Sequence, residues 1–136
     1  SGGQHDSLAV ISVEVSEGKN LPSRDIFGPS DAYFVVLSKS GKTLYKSKVI
    51  KDPNPKFNET ATFQYNDDTR TISIVAWDKD TFSPDELIGK AENLDPASLL
   101  NRPNHVLNLV DDKGRPAGQL VVTFIGSYRQ DQSQGS

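Results

Sequence analysis

Short alternating runs separated by turn-forming residues constrain the fold of this sequence more than any other feature. Residues 8–15 place four aliphatic side chains on one side and Ser12 and Glu14 on the other, the pattern of a half-buried strand. Seven more strands are predicted, at residues 32–38, 43–50, 57–65, 71–77, 87–93, 105–109 and 118–126. Only residues 96–101 are predicted to be helical, because Asp95 can cap a helix that has proline at its first position. The sequence therefore predicts an all-β fold, an eight-stranded antiparallel β-sandwich.

The composition narrows the chemistry that is available. The chain has 136 residues, a net charge of −3, no cysteine and two distant histidines, His5 and His105. These values predict one domain, no nucleic-acid binding, no disulfides and no thiolate nucleophile. No apolar run approaches the roughly 20 residues of a membrane span, so we expect a soluble intracellular protein. We assign residues 1–7 to a disordered terminal remnant, 8–126 to the domain and 127–136 to a polar C-terminal tail.

The loop after the predicted fifth strand is strongly acidic. Asp78, Asp80, Asp85 and Glu86 lie within nine residues. Like charges this close destabilise a fold unless a cation sits among them. Calcium binds 6 to 8 oxygens at about 2.3–2.6 Å and tolerates flexible carboxylate and carbonyl ligands better than magnesium does. The acidic loop therefore predicts a calcium site.

Other loops are expected to join this acidic loop. In an eight-stranded sandwich, the connections after the first, third and fifth strands can emerge at the same end. That arrangement would bring Asp25, Asp31 and Pro53 close to the acidic loop. Two acidic loops would then share a site, and their carboxylates supply too much charge for one calcium ion, so two or more ions are expected.

Three ordered motifs in this sequence resemble those of C2 domains. The first motif is GKNL at residues 18–21 followed by GPSDAY at 28–33. The second is NPKFNE at 54–59. The third is WDKD at 77–80 followed by ELIG at 86–89. The resemblance covers about residues 8–126. The strand motif at which the resemblance begins, residues 8–15, is the first strand of the circularly permuted arrangement called type II. The strand order implied here therefore resembles type II. The resemblance therefore implies a C2-like Greek-key sandwich with calcium-binding loops at one end.

Carried over by position, the resemblance implies a set of calcium ligands. The side chains are those of Asp25, Asp31, Asp78, Asp80 and Glu86, assisted by Ser83 and by the backbone carbonyls of Arg24 and Lys79. Glu86 stands where the family usually has aspartate, and it is one methylene longer. The reach of Glu86 therefore decides how well the outer ion is held.

The resemblance also implies contacts with lipid. Ile26, Phe27 and Phe82 lie at the predicted loop tips, where insertion of each into the acyl boundary would add roughly 1 to 2 kcal/mol. Some relatives bind phosphoinositides on the concave sheet, and four positions match them: Tyr33, Lys46, Lys48 and Trp77. Val35 replaces an expected lysine and Asp85 an expected asparagine, so the match is incomplete.

These observations predict a calcium-dependent peripheral module that docks on anionic phospholipid of the phosphatidylserine type. We expect a cytoplasmic protein that moves to the inner face of membranes when calcium rises. The alternative is a module for protein–protein or intramolecular contact, in which calcium is absent or only structural. No nucleophile and base are paired in the sequence, so we expect no enzymatic activity of its own, although the chain could regulate a larger enzyme.

Overall fold

A computed structural model describes residues 4–23 and 27–132 of this chain. It contains nine strands and one short 3₁₀ helix, Pro96–Leu99. The strands are β1 (Gln4–Lys19), β2 (Asp31–Ser38), β3 (Thr43–Lys46), β4 (Ile50–Lys51), β5 (Glu59–Gln64), β6 (Ile72–Asp78), β7 (Glu86–Leu94), β8 (His105–Val110) and β9 (Pro116–Gln132). The described residues contain no helix that is long and apolar enough to cross a membrane.

The strands form two antiparallel halves of a sandwich. One half has the order β3-β2-β6-β7, with β4 also pairing with β2, and the other has the order β8-β9-β1-β5. Between β7 and β8, the register pairs Lys90 with Val110 and no other described residues. The predicted antiparallel sandwich is therefore confirmed. The first and last strands are neighbours in one sheet, which is the strand order that the permuted arrangement predicts.

The core follows the alternation in the sequence. Ile11, Val13 and Val15 of β1 are fully buried, whereas Glu14 is exposed. The apolar run in β2 lies between β3 and β6 and is buried on both faces, as expected for a central strand. Every second side chain of β2 enters the core, and Tyr33 on the opposite face is also buried.

The predicted third strand, residues 43–50, is instead divided into β3 and β4. Phe34 N–H donates to the Ser47 hydroxyl at 2.8 Å, and Ser47 N–H donates to the Phe34 carbonyl at 2.9 Å. A side-chain hydroxyl thus takes the place of a backbone carbonyl in the ladder, which interrupts regular pairing. Lys46 ends β3, and Lys48 lies in the irregular segment, where its N–H donates to the Glu59 carboxylate at 3.0 Å.

The two terminal strands are longer than predicted. β1 and β9 pair from Lys19–Gln119 as far as Gln4–Gln132, so residues 4–7 and 127–132 belong to strands rather than to a disordered remnant and a tail. Backbone hydrogen bonds continue an antiparallel ladder whatever the side chains are, so the hydropathy pattern does not record that pairing. The 3₁₀ helix is shorter than the predicted 96–101 and begins where Asp95 accepts a hydrogen bond from Ala97 N–H at 3.1 Å.

Candidate functional site

Three loops gather at one end of the sandwich: the first loop (residues 20–30), the second loop (52–58) and the third loop (79–85). Leu21 N–H donates to the Pro53 carbonyl at 2.9 Å, which joins the first loop to the second. Asp31 N–H donates to Asp78 Oδ1 at 2.9 Å, which joins the end of the first loop to the start of the third. The prediction that these connections emerge together is confirmed for the described residues.

Asp78 and Asp31 are locked together at the base of this end. Asp78 is fully buried at the end of β6, and the register pairs it with Ala32, next to Asp31. Besides the bond from Asp31 N–H, the Asp31 carbonyl accepts from Lys79 N–H at 2.8 Å. A buried carboxylate is costly unless donors or a cation compensate it. Asp31 N–H is one such donor, and its hydrogen bond ties Asp78 to the end of the first loop.

Asp80 has one carboxylate oxygen without a hydrogen-bond partner among the described residues. Its Oδ2 is buried and accepts no hydrogen bond from the part of the chain that the structure describes. Leaving a buried charged acceptor unsatisfied costs on the order of 1 to 3 kcal/mol or more. Asp80 Oδ2 thus fits a cation ligand.

Asp85 organises the third loop, a role that the sequence analysis missed. One of its oxygens accepts from Asp80 N–H at 3.0 Å, and the other accepts from the Tyr33 hydroxyl on β2. The hydrogen bond from Tyr33 is the main cause that lowers the pKa of Asp85, and the bond from Asp80 N–H adds to it. Burial is the main cause that raises the pKa of Tyr33, and Asp85 adds to it. Asp85 therefore closes the loop over a distance of five residues.

The sequence held one signal for this role. Aspartate side chains near a turn readily accept hydrogen bonds from backbone N–H groups a few residues away. Asp85 follows Asp80 at such a spacing. The partnership with Tyr33, which is 52 residues away, depends on the sheet topology and had no local signal.

We expect Tyr33→Phe to make the stability of this domain less dependent on pH. In the folded state the pKa of Asp85 lies below its ordinary value of 3.8, mainly because Tyr33 donates to its carboxylate. This stabilisation is therefore present above pH about 4 and is lost as the pH falls through the folded-state pKa. Urea unfolding of both proteins from neutral to acidic pH should show a stability difference that narrows in acid.

Tyr128→Phe is the matched control, because the Tyr128 side chain is 56% exposed and lies far along β9. It should leave the pH profile unchanged. A carboxyl chemical-shift titration should also show a higher pKa for Asp85 in Tyr33→Phe than in the wild type. An unchanged Asp85 pKa would show that the tyrosine hydroxyl does not hold this carboxylate.

Glu86 is less buried than Asp78, the residue opposite it in the β6–β7 register. It is exposed, begins β7, and pairs with Asp78 in the β6–β7 register. It also lines a polar cavity of about 350 Å³, together with Leu87, Asp112, Lys113 and Arg115. Glu86 thus follows the third loop in sequence and lines a cavity beside the β8–β9 connection.

The other loop residues predicted to bind calcium or lipid are either exposed or lie outside the described residues. Phe82 is 100% exposed and Phe27 is 91% exposed. Lys79 and Ser83 are also exposed. Three predicted site residues lie outside the described residues: Arg24, Asp25 and Ile26. Two large aromatic side chains thus project from the end of the sandwich that carries the carboxylates.

The described carboxylates supply the oxygen ligands that calcium prefers, but their side chains do not surround a common point. Within residues 4–23 and 27–132, no group of three acidic or histidine side chains comes close enough to hold an ion. The available donors at this end are all oxygens, and one of them, Asp80 Oδ2, is buried without a hydrogen bond from those residues. An all-oxygen set suits calcium.

The face of the sheet below the third loop carries the other predicted lipid contacts. Tyr33 pairs with Trp77 across β2 and β6, and Lys46 Nζ lies 4.9 Å from the centroid of the Tyr33 ring. Val35 pairs with Lys46 and is nearly buried. Since the Tyr33 hydroxyl donates to Asp85, a carboxylate lies on the same face as Tyr33 and Lys46.

A model of the C2 domain family matches residues 9–109, and the chain belongs to that family. Protein C2-DOMAIN ABA-RELATED 4 of Arabidopsis thaliana is 41% identical over 125 residues, which cover 91% of this chain and 66% of that protein. Multiple C2 and transmembrane domain-containing protein 1 of Mus musculus is 34% identical over 120 residues, which cover 87% of this chain and 12% of that protein. The chain thus spans less than two thirds of the length of these relatives.

Solved structures show the same fold. A C2 domain of plant Extended Synaptotagmin 1 matches with a TM-score of 0.72 at 19% identity, covering 93% of this chain and 98% of that chain. A C2 domain-containing protein from a putative elicitor-responsive gene matches with a TM-score of 0.68 at 22% identity, covering 90% and 92%. At this level of identity, the likeness concerns the fold alone.

Proposed function

We propose that this C2 domain docks on anionic phospholipid in a calcium-dependent manner, through its first and third loops. The observation that carries the proposal is the buried Oδ2 of Asp80, which has no hydrogen bond from the described residues and lies two residues before the fully exposed Phe82. A site that needs positive charge is thus next to a side chain suited to the edge of a bilayer.

The oxygens of Asp78, Asp80 and Glu86 would hold calcium from the third loop, and Asp25 and Asp31 from the first. Bound calcium supplies positive charge and coordination positions that lipid phosphate can fill. Because the loops are open to solvent, we expect intrinsic affinity on the order of 10⁻⁶ to 10⁻³ M, which rises when lipid binds. Two or more ions are proposed, since the negative charge of the carboxylates exceeds the positive charge of one calcium ion.

The side chains around the site would complete membrane contact. Phe27 and Phe82 insert into the acyl boundary, where each adds roughly 1 to 2 kcal/mol. The exposed Lys46 and Lys48 contribute general attraction to anionic lipid, about 1 kcal/mol for each residue near the surface. Asp85 bonded to Tyr33 disfavours a phosphoinositide site on the same face, because it places a carboxylate close to Lys46.

Replacing Asp80 with asparagine tests this function. The substitution removes one charge from the proposed calcium site and keeps the shape of the side chain. Cosedimentation with vesicles of phosphatidylserine and phosphatidylcholine should show calcium-dependent binding by the wild type and at least about tenfold weaker binding by Asp80→Asn.

Asp67→Asn is the matched control. It removes the same charge at a fully exposed position in the β5–β6 turn, at the opposite end of the sandwich. This control should bind vesicles as the wild type does. Equal calcium-dependent binding by Asp80→Asn and the wild type would overturn the proposal.

A second function is favoured by one observation. Asp85 holds the third loop in shape through two hydrogen bonds, from Asp80 N–H and from the Tyr33 hydroxyl. The domain could therefore act as a calcium-independent module for protein–protein or intramolecular contact, regulating a larger protein without activity of its own. Calorimetry separates the two functions, because this module would show no calcium heat and no rise in melting temperature at millimolar calcium.

A further inference from the structure

The tip of the third loop is an exposed segment with a distinctive dipeptide. Four consecutive residues are exposed and outside any strand: Thr81, Phe82, Ser83 and Pro84. Ser83-Pro84 is the only serine or threonine followed by proline in the sequence. We infer that Ser83 is a phosphorylation site for a proline-directed protein kinase, and that its phosphate releases the domain from anionic membranes. The second half of this inference rests on the proposed docking function.

The geometry of the loop presents Ser83 to a kinase. The base of the loop is fixed, because Asp85 accepts from Asp80 N–H at 3.0 Å and from the Tyr33 hydroxyl. The tip beyond this closure is exposed. Proline disfavours the helical conformation for the residue before it. Ser83 lies in an exposed bend at the tip of the loop, where a kinase can reach it.

The hydrogen bonding of the neighbouring carboxylates favours a kinase that recognises proline after the serine over a kinase that recognises acidic residues. Asp85 follows Ser83 by two residues, but both of its oxygens already accept hydrogen bonds, one from Asp80 N–H and one from the Tyr33 hydroxyl on β2. Pro84 is exposed and remains available for recognition. The reaction is ordinary phosphoryl transfer from ATP. Ser83 Oγ forms a bond to the γ-phosphorus as the bond to the β,γ-bridging oxygen breaks, ADP leaves, and the hydroxyl proton passes to the catalytic aspartate of the kinase.

A phosphate at Ser83 would oppose docking in two ways. It adds about −1.5 to −2 charges to a loop that already carries Asp78, Asp80, Asp85 and Glu86. It also places a strongly hydrated group next to Phe82, which must enter the acyl boundary. At about 1 kcal/mol for each charge near an anionic surface, we expect roughly 10- to 30-fold weaker binding to vesicles.

The test combines a kinase reaction with vesicle binding. The full chain is incubated with ATP and a recombinant mitogen-activated protein kinase, and the modified residue is located by mass spectrometry. Cosedimentation is then measured in millimolar calcium with vesicles of equal parts phosphatidylserine and phosphatidylcholine. We expect phosphate on Ser83 and roughly 10- to 30-fold weaker binding of the phosphorylated protein.

Pro84→Ala is the control, since it removes the recognition residue and leaves the proposed calcium and lipid contacts in place. It should bind vesicles like the unmodified wild type, both before and after kinase treatment. Absence of phosphate from Ser83 overturns the inference, as does equal or tighter binding of the phosphorylated protein. Failure of the unmodified wild type to bind would overturn the docking function, and the regulatory inference with it. Unchanged binding after phosphorylation overturns the inference alone.

Discussion

Gly118→Ala is expected to destabilise the domain by about 2 to 5 kcal/mol. Gly118 lies in β9 with φ +82°, a conformation that disfavours any residue with a Cβ. A Cβ at this position would also lie 2.7 Å from the Asn20 carbonyl oxygen and 2.8 Å from that of Lys19. The backbone at the start of the first loop would have to move, and overpacking of this kind adds about 1 to 3 kcal/mol to the conformational cost.

Gly114→Ala isolates the conformational part of this effect. Gly114 has a similar φ of +75°, but apart from its chain neighbours no atom of the described residues lies within 4 Å of the position of an added Cβ. We expect this control to lose only about 1 to 2 kcal/mol. Urea unfolding should show a lower midpoint for Gly118→Ala than for Gly114→Ala, with similar slopes. Equal losses in the two variants would show that the contact with the first loop carries no energy.

Phe34→Ala is expected to cost about 3 to 5 kcal/mol of unfolding free energy. Phe34 is fully buried in β2 and packs in the core against two rings, with centroids 5.8 Å away in Tyr45 and 5.0 Å away in Phe57. Truncation would leave a cavity between the two halves of the sandwich. Urea unfolding measures the loss directly.

Phe82→Ala is the matched control, because it removes the same side chain from a fully exposed position. We expect its unfolding free energy to stay within about 0.5 kcal/mol of the wild type. Its binding to anionic vesicles in calcium should weaken by about 5- to 30-fold, as burial of an aromatic side chain in the acyl boundary is lost. A loss of stability comparable to that of Phe34→Ala would show that the third loop packs on the domain instead of projecting from it.

Much of the fold could be predicted from the sequence because burial and side-chain alternation are directly linked. The run from Tyr33 to Leu37 is apolar at every position, and β2 proves to be a central strand. Ile11, Val13 and Val15 alternate with polar residues, and they enter the core. These patterns reflect the two-residue period of a strand, which needs no knowledge of its neighbours.

The features that could not be predicted all depend on partners distant in sequence. Ser47 interrupts the third predicted strand because its hydroxyl accepts a hydrogen bond from Phe34 N–H, 13 residues earlier. Asp85 closes the third loop because β2 places Tyr33 beside it. Hydrophobic periodicity records which side chains are buried, but it does not record which polar groups meet.

The candidate site shows the same division. Its acidic character and its exposed aromatic residues were evident from the sequence, and the described parts of the three loops do meet at one end. The sequence did not show which carboxylate oxygens accept hydrogen bonds and which remain available to bind a metal, because that depends on partners elsewhere in the fold. Both oxygens of Asp85 accept hydrogen bonds, whereas Oδ2 of Asp80 accepts none from the described residues.

A calcium titration followed by amide chemical shifts tests the central claim most directly. If the loops hold calcium, the largest shifts should fall on residues 24–31 and 78–86, and they should saturate with a stoichiometry of two or more ions. The same shifts should be much smaller in Asp80→Asn and unchanged in Asp67→Asn. A spectrum that does not change up to millimolar calcium, or changes that spread evenly over the surface, would contradict calcium-dependent docking through these loops.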